Sequence, residues 1–181
     1  MKNQDELAKK LLELDEEILK AQLGIRAQQL SENSTGRSAS LESLDEDISA
    51  TARGFNLEPA DLNFGDSLFK QLNAKFYNLM CGEFVDEQLK KEVTSAFQEG
   101  SDKAVALLTP ILISHLGLAS SIAMIVATLI LKTLVSTTST IAAATSDTIC
   151  EIWNPALVVE PDLSSNIVDL PGNPPNVLPV T

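Results

Sequence analysis

Histidine occurs once, cysteine twice, and tryptophan and tyrosine once each in a chain of 181 residues whose aromatic content is 4%. That scarcity excludes several chemistries. A structural zinc site needs four nitrogen or sulfur ligands at close spacing, and His115, Cys81 and Cys150 are too few and too far apart to supply them. Basic residues are scarce as well: 13 against 25 acids leave a net charge of −12 at pH 7. No basic stripe remains to release counterions from phosphates, so nucleic acid is not expected as a partner. The chain also has no glycine-rich phosphate loop, paired-carboxylate motif or nucleophile elbow. His115 has no nearby acid in sequence to orient it, and neither cysteine has a nearby histidine to activate it. The sequence therefore reads as a non-enzyme that needs no cofactor and no metal.

Met1 to Glu6 has neither the basic start nor the apolar stretch of a secretory signal, so synthesis in the cytosol is expected. Two cysteines with no evident mate fit a reducing compartment.

What is present is sorted along the chain by charge. Residues 31–66 sum to −6 and residues 147–181 to −5, while residues 104–146 carry a single charge, Lys132. Four segments follow from these steps: a helix over 1–30, an acidic serine-rich linker over 31–64, a helical domain over 65–153, and a proline-rich tail over 154–181.

In the first segment, Leu7, Leu11, Leu14, Ile18, Ala21 and Ile25 recur at spacings of four and three, which predicts one amphipathic helix from 4 to 30. Asp5 with Lys9, Glu6 with Lys10 and Glu16 with Lys20 add i,i+4 pairs on the other face. The stripe Leu7, Leu11, Leu14, Ile18 and Ile25 either packs on the rest of the chain or forms a short coiled coil that docks a partner or a second copy. The linker is too polar to fold alone, with room for one short helix at Leu41, Leu44 and Ile48 that a partner would order. Asp66 is the expected cap of a helix burying Phe69, Leu72, Phe76, Leu79 and Met80, with Gly82 as its left-handed stop after Cys81. A second helix is expected from Asp86 to Gly100, with Leu89, Val93 and Phe97 inward.

Ala104 to Leu131 is a 28-residue run without formal charge. A run of this length suggests a membrane span. Gly117 and Ser120 break it into a hairpin over 101–152, as glycine ends one helix and serine starts the next. The first arm, with Leu107, Leu108, Ile111 and Ile113, would be about 24 Å long, short for a hydrocarbon core of roughly 30 Å. Pro110 must kink this arm or restart it with Thr109 as cap. The second arm, with Ile122, Ile125, Val126, Leu129, Ile130 and Leu131, would reach about Thr148, long enough to cross. Ala119, Ala123 and Ala127 form a small-residue row that admits a second helix closely, and Ser136, Thr140 and Ala144 repeat it.

The fold class is thus all-α: a small bundle around a hydrophobic hairpin, with an amphipathic N-terminal helix, an acidic linker and a disordered tail. The outline is similar to that of pore-forming toxin domains, which implies a latent, membrane-active hairpin released when its covering helices or a partner are removed. His115 at the hairpin tip would then sense pH or depth, and Lys132 would line a pore or fix a bend. The competing expectation is a soluble helical adaptor or oligomerising subunit with the hairpin as permanent core, the N-terminal helix and the tail binding protein partners. The partners expected are accordingly a protein, a second copy of the chain, or a lipid bilayer.

Overall fold

A computed structural model describes residues 2–32, 40–51, 58–83, 86–137, 149–151 and 153 of the chain. Among these the regular structure is entirely helical: α1 (Lys2–Glu13), α2 (Glu16–Glu32), α3 (Leu41–Thr51), α4 (Pro59–Cys81), α5 (Glu87–Gln98), α6 (Ser101–Leu116) and α7 (Ser120–Thr137). The all-α expectation holds. The tail 154–181, the row residues Thr140 and Ala144, and the far end of the second arm lie outside the described residues.

The N-terminal segment is two helices rather than one. Aspartate is a weak helix-interior residue and a strong cap. At Asp15 the chain leaves α1, closed by the Leu14 N–H on the Leu11 carbonyl, and restarts as the Asp15 carbonyl accepts from Leu19 at 3.1 Å. The break lets the halves serve different neighbours: α1 packs on α6 and α7, α2 on α4 and α7. At the crossing of α2 and α4 the backbones almost touch. A Cβ on Gly65 would overlap the Lys20 carbonyl, and one on Gly24 the Asp61 carbonyl. Gly24, costly for a helix taken alone, is needed for this approach.

The helix carrying Asp66 begins eight residues earlier than expected, and Gly82 ends it in the extended region (φ −80°, ψ −169°) and not in the left-handed one. Pro59 occupies its first turn, where a missing N–H costs nothing, and Glu58 holds the extended cap conformation. Asp66 is therefore mid-helix, its carboxylate engaged by Lys20 and Lys70, both at 2.9 Å. Burial alone would raise the Asp66 carboxyl, but the hydrogen bonds and charge of the two lysines outweigh it and hold it below its ordinary value. The cap of α5 is as expected: Asp86 accepts from the Gln88 and Leu89 N–H groups at 3.0 and 3.2 Å.

The short helix expected at Leu41, Leu44 and Ile48 is α3, and its Leu44 and Ile48 are buried. It is ordered by α1 and α7 of the same chain. Its polar ties include Lys10 to Asp45 at 2.7 Å on the surface, and the enclosed Arg26 to Asp47 at 2.7 Å. Burial pulls the Arg26 guanidinium down from its ordinary value and the Asp47 charge opposes this. Arginine stays protonated in such a place, so the pair is ionic.

The cysteines are not free. Cys81 and Cys150 form a disulfide with Cα atoms 5.8 Å apart and a sequence separation of 69, which corrects the expectation of two unpaired thiols. Sequence spacing could not reveal the pairing, because α5, α6 and α7 lie between the two positions and bring them together only on folding. Closing so long a loop stabilises the folded chain by about 4 kcal/mol through the chain entropy it removes from the unfolded state.

Candidate functional site

The uncharged run forms α6 and α7, joined at Gly117 in the left-handed conformation (φ 67°), with the Gly117 N–H closing α6 on Ile113. Pro110 does not restart the first arm. It lies within a continuous α6, and Thr109, instead of capping, donates its hydroxyl to the Val105 carbonyl at 2.7 Å. The chain turns by 118° between the two helices.

Every residue from Ser121 to Leu131 is buried. Ile122, Ile125, Val126, Leu129, Ile130 and Leu131 thus belong to one continuous core together with Ala123 and Ala127; Ala119, at the turn, is half-buried. Cover comes from α1, α2, α3, α4 and α6. Two hydroxyls of this apolar helix are satisfied within it, Thr128 donating to the Met124 carbonyl at 2.8 Å and Thr133 to the Leu129 carbonyl at 2.8 Å. No single helix among the described residues is long and apolar enough to cross a membrane; the bent pair passes only when α6 and α7 are taken together.

The residues of α6 divide by face. Leu108 is buried, Ile111 and Ile113 are half-buried, and Leu107 is 46% exposed. The outward face meets α5 in an open groove of about 650 Å³. Gln88, Glu92, Ser95 and Glu99 run along one wall and Leu107, Pro110, Ile111 and Ser114 along the other, at spacings of three and four that put each set on one helix face. The wall formed by α5 is roughly 16 Å long at 1.5 Å per residue. Its floor is apolar, and its rim carries two carboxylates, Glu92 and Glu99, against one amine, Lys91. The hydrophobic run announced α6, but an outward apolar edge beside a polar α5 follows only from how the two helices pack.

His115 is exposed at the end of this groove and also borders a recess lined by Lys75, Asn78, Leu79, Glu83 and Leu116. Lys132 is half-buried in a cleft with Leu12, Glu16, Ser101, Leu131 and Val135, where Glu16 is the neighbouring carboxylate. The two are not brought together. Of the N-terminal stripe, Leu7 and Leu11 are buried in the chain's own core, while Leu14, Ile18 and Ile25 are half-buried. Among the described residues no three His, Cys, Asp or Glu side chains converge as a metal site.

Trp153, which the sequence offers as an anchor of the last helix or a residue at a lipid interface, finds its partners on α4. Trp153, 1% exposed, donates its indole N–H to Asn73 Oδ1 at 2.7 Å and packs against Phe76 and Tyr77, with ring centroids 5.5 and 6.0 Å away. Asn73, Phe76, Tyr77, Met80 and Cys81 form one stripe on α4, and Ile149, Cys150 and Trp153 make up the segment tied to it. The sequence shows only that the single tryptophan follows Cys150 by three residues; its partners on α4 come from the fold. Comparison with known protein families, characterised proteins and solved structures finds no match for the chain.

Proposed function

We propose that the chain is a non-enzymatic helical adaptor: a small bundle built around the α6–α7 hairpin as a permanent core, which receives an amphipathic helix of a partner protein in the groove between α5 and α6. The observation that carries this reading is the enclosure of Ser121 to Leu131 by the chain's own helices. Each large aliphatic side chain so buried stabilises the fold by about 1.5 to 3 kcal/mol, and cover from the chain's own helices supports a permanent core. The groove suits a helix, because two parallel rows of side chains with an apolar floor are how helix-in-groove recognition is built. Its volume lies within the ordinary range for binding sites. The acidic balance of the rim and the net charge of −12 select an occupant with a basic flank beside its apolar stripe.

The test has two arms. Full-length protein in detergent-free buffer is sized by light scattering and mixed with dye-loaded liposomes. A monodisperse species and intact liposomes are expected. A synthetic lysine- and leucine-rich amphipathic helix is then titrated into labelled protein, with amide shifts expected along Gln88 to Glu99 and Leu107 to Ser114, and a loss of at least roughly tenfold in affinity, about 1.4 kcal/mol, for Leu107→Glu. Shifts elsewhere, or none, would reject the groove.

Membrane insertion of the hairpin is the second reading, favoured by one observation: α6 and α7 together have the length and composition of a broken span or re-entrant loop. Dye leakage, or a protein that stays dispersed only in detergent, would select it over the adaptor.

A further inference from the structure

The Cys81–Cys150 disulfide closes a clamp. Without it, seating the 149–153 segment on α4 requires a loop of 69 residues to close, and among the described residues the groups that hold it include the buried Ile149 side chain, the Trp153 ring and its hydrogen bond to Asn73. Those groups are buried, whereas both cysteines, at the end of the stripe, are only partly buried. Cys81 is also the last residue of its helix and packs against the core from its partly buried position. The geometry points to the Cys81–Cys150 pair as a site of thiol–disulfide exchange, at which a dithiol reductant releases the 149–153 segment from α4.

The step balances within the two partners. One thiolate of the dithiol attacks a sulfur of the pair, breaking the Cys81–Cys150 bond and forming a mixed disulfide. The second thiol attacks that mixed disulfide, leaving the reductant oxidised to its own disulfide and the protein with two thiols. Two electrons and two protons pass from reductant to protein. Release removes the Trp153 ring from Phe76 and Tyr77 on α4. This holds whether the groove of α5 and α6 binds a helix or not.

Trp153 is the only tryptophan, so its emission reports the clamp alone. Full-length oxidised protein is treated with dithiothreitol while tryptophan emission, iodide quenching, helical circular dichroism and free thiols are followed together. The expected result is two thiols per chain, emission shifted to the red, increased quenching, and an unchanged helical signal, all reversed on reoxidation. The Cys81→Ser and Cys150→Ser double variant should show the reduced emission without reductant. Full thiol release with unchanged tryptophan emission would overturn the proposal. So would a loss of helical signal in step with the emission change, which would make the bond a staple of the whole fold, or the finding that the oxidised chain never forms the bond.

Discussion

The fully enclosed guanidinium of Arg26 donates to the Asp47 carboxylate at 2.7 Å, and this pair fastens α2 to α3. Asp47 is 51% exposed, so the two sides of the pair are unequal. Removing the carboxylate leaves a buried cation with less compensation, whereas removing the cation leaves a carboxylate already about half in contact with solvent. Asp47→Ala should therefore cost about 1 to 2 kcal/mol in urea unfolding, below the 3 to 5 kcal/mol of a fully buried pair because solvent screens Asp47. Arg26→Met should cost less than Asp47→Ala. The reverse order would mean that the stem packing of Arg26, and not its charge, holds α3.

The crossing of α2 and α4 predicts that alanine, the best helix former, is harmful at two helical glycines. Alanine gains up to about 1 kcal/mol in propensity, but its methyl group at position 65 must displace the Lys20 carbonyl. Overpacking against backbone costs about 1 to 3 kcal/mol, and here neither backbone can move without the other. Gly65→Ala and Gly24→Ala should both lower the thermal midpoint, Gly65→Ala by more, as measured by circular dichroism.

Asp66 makes stability depend on pH in a definite direction. Its folded value is held down by Lys20 and Lys70, while the unfolded carboxyl titrates near its ordinary value, about 3.9. The folded state therefore binds the proton less readily, and the contribution is complete above that unfolded value and lost as pH falls through the folded one. Urea titrations from pH 7 to pH 2.5 should show wild type and Asp66→Asn converging at the acid end. Curves that stay parallel throughout would refute the linkage.

Trp153 and Asn73 separate packing from hydrogen bonding. Trp153→Phe keeps most of the ring contact with Phe76 and Tyr77 but leaves the Asn73 amide oxygen without its indole donor, a loss of about 1 to 3 kcal/mol. Trp153→Ala also opens a cavity and should cost about 3 to 5 kcal/mol. Equal losses in the two variants, measured with the disulfide intact, would show that the ring contributes nothing beyond its N–H.

Local signals placed the elements they could place. Asp86 was legible as a cap because the two N–H groups it satisfies are two and three residues away, and Gly117 as a stop because the left-handed turn is a property of that one residue. The absence of charge from Ala104 to Leu131 announced α6 and α7 for the same kind of reason. Asp15 was hidden because the apolar spacing of Leu11, Leu14 and Ile18 runs unbroken across it, and spacing does not record a change of direction. Asp66 resembled a cap until Lys20, on another helix, supplied the charge that occupies it.

By itself the sequence determined the all-helical class, the helix ends set by Asp86 and Gly117, and the existence of an apolar run in need of cover, since each follows from residues within one or two turns of each other. Only the tertiary structure decided which helices cover α7, that Cys81 meets Cys150, that Arg26 meets Asp47, and that α5 and α6 leave a groove open. Those outcomes depend on which distant segments come together, and the loops between them carry no residue pattern that encodes the pairing.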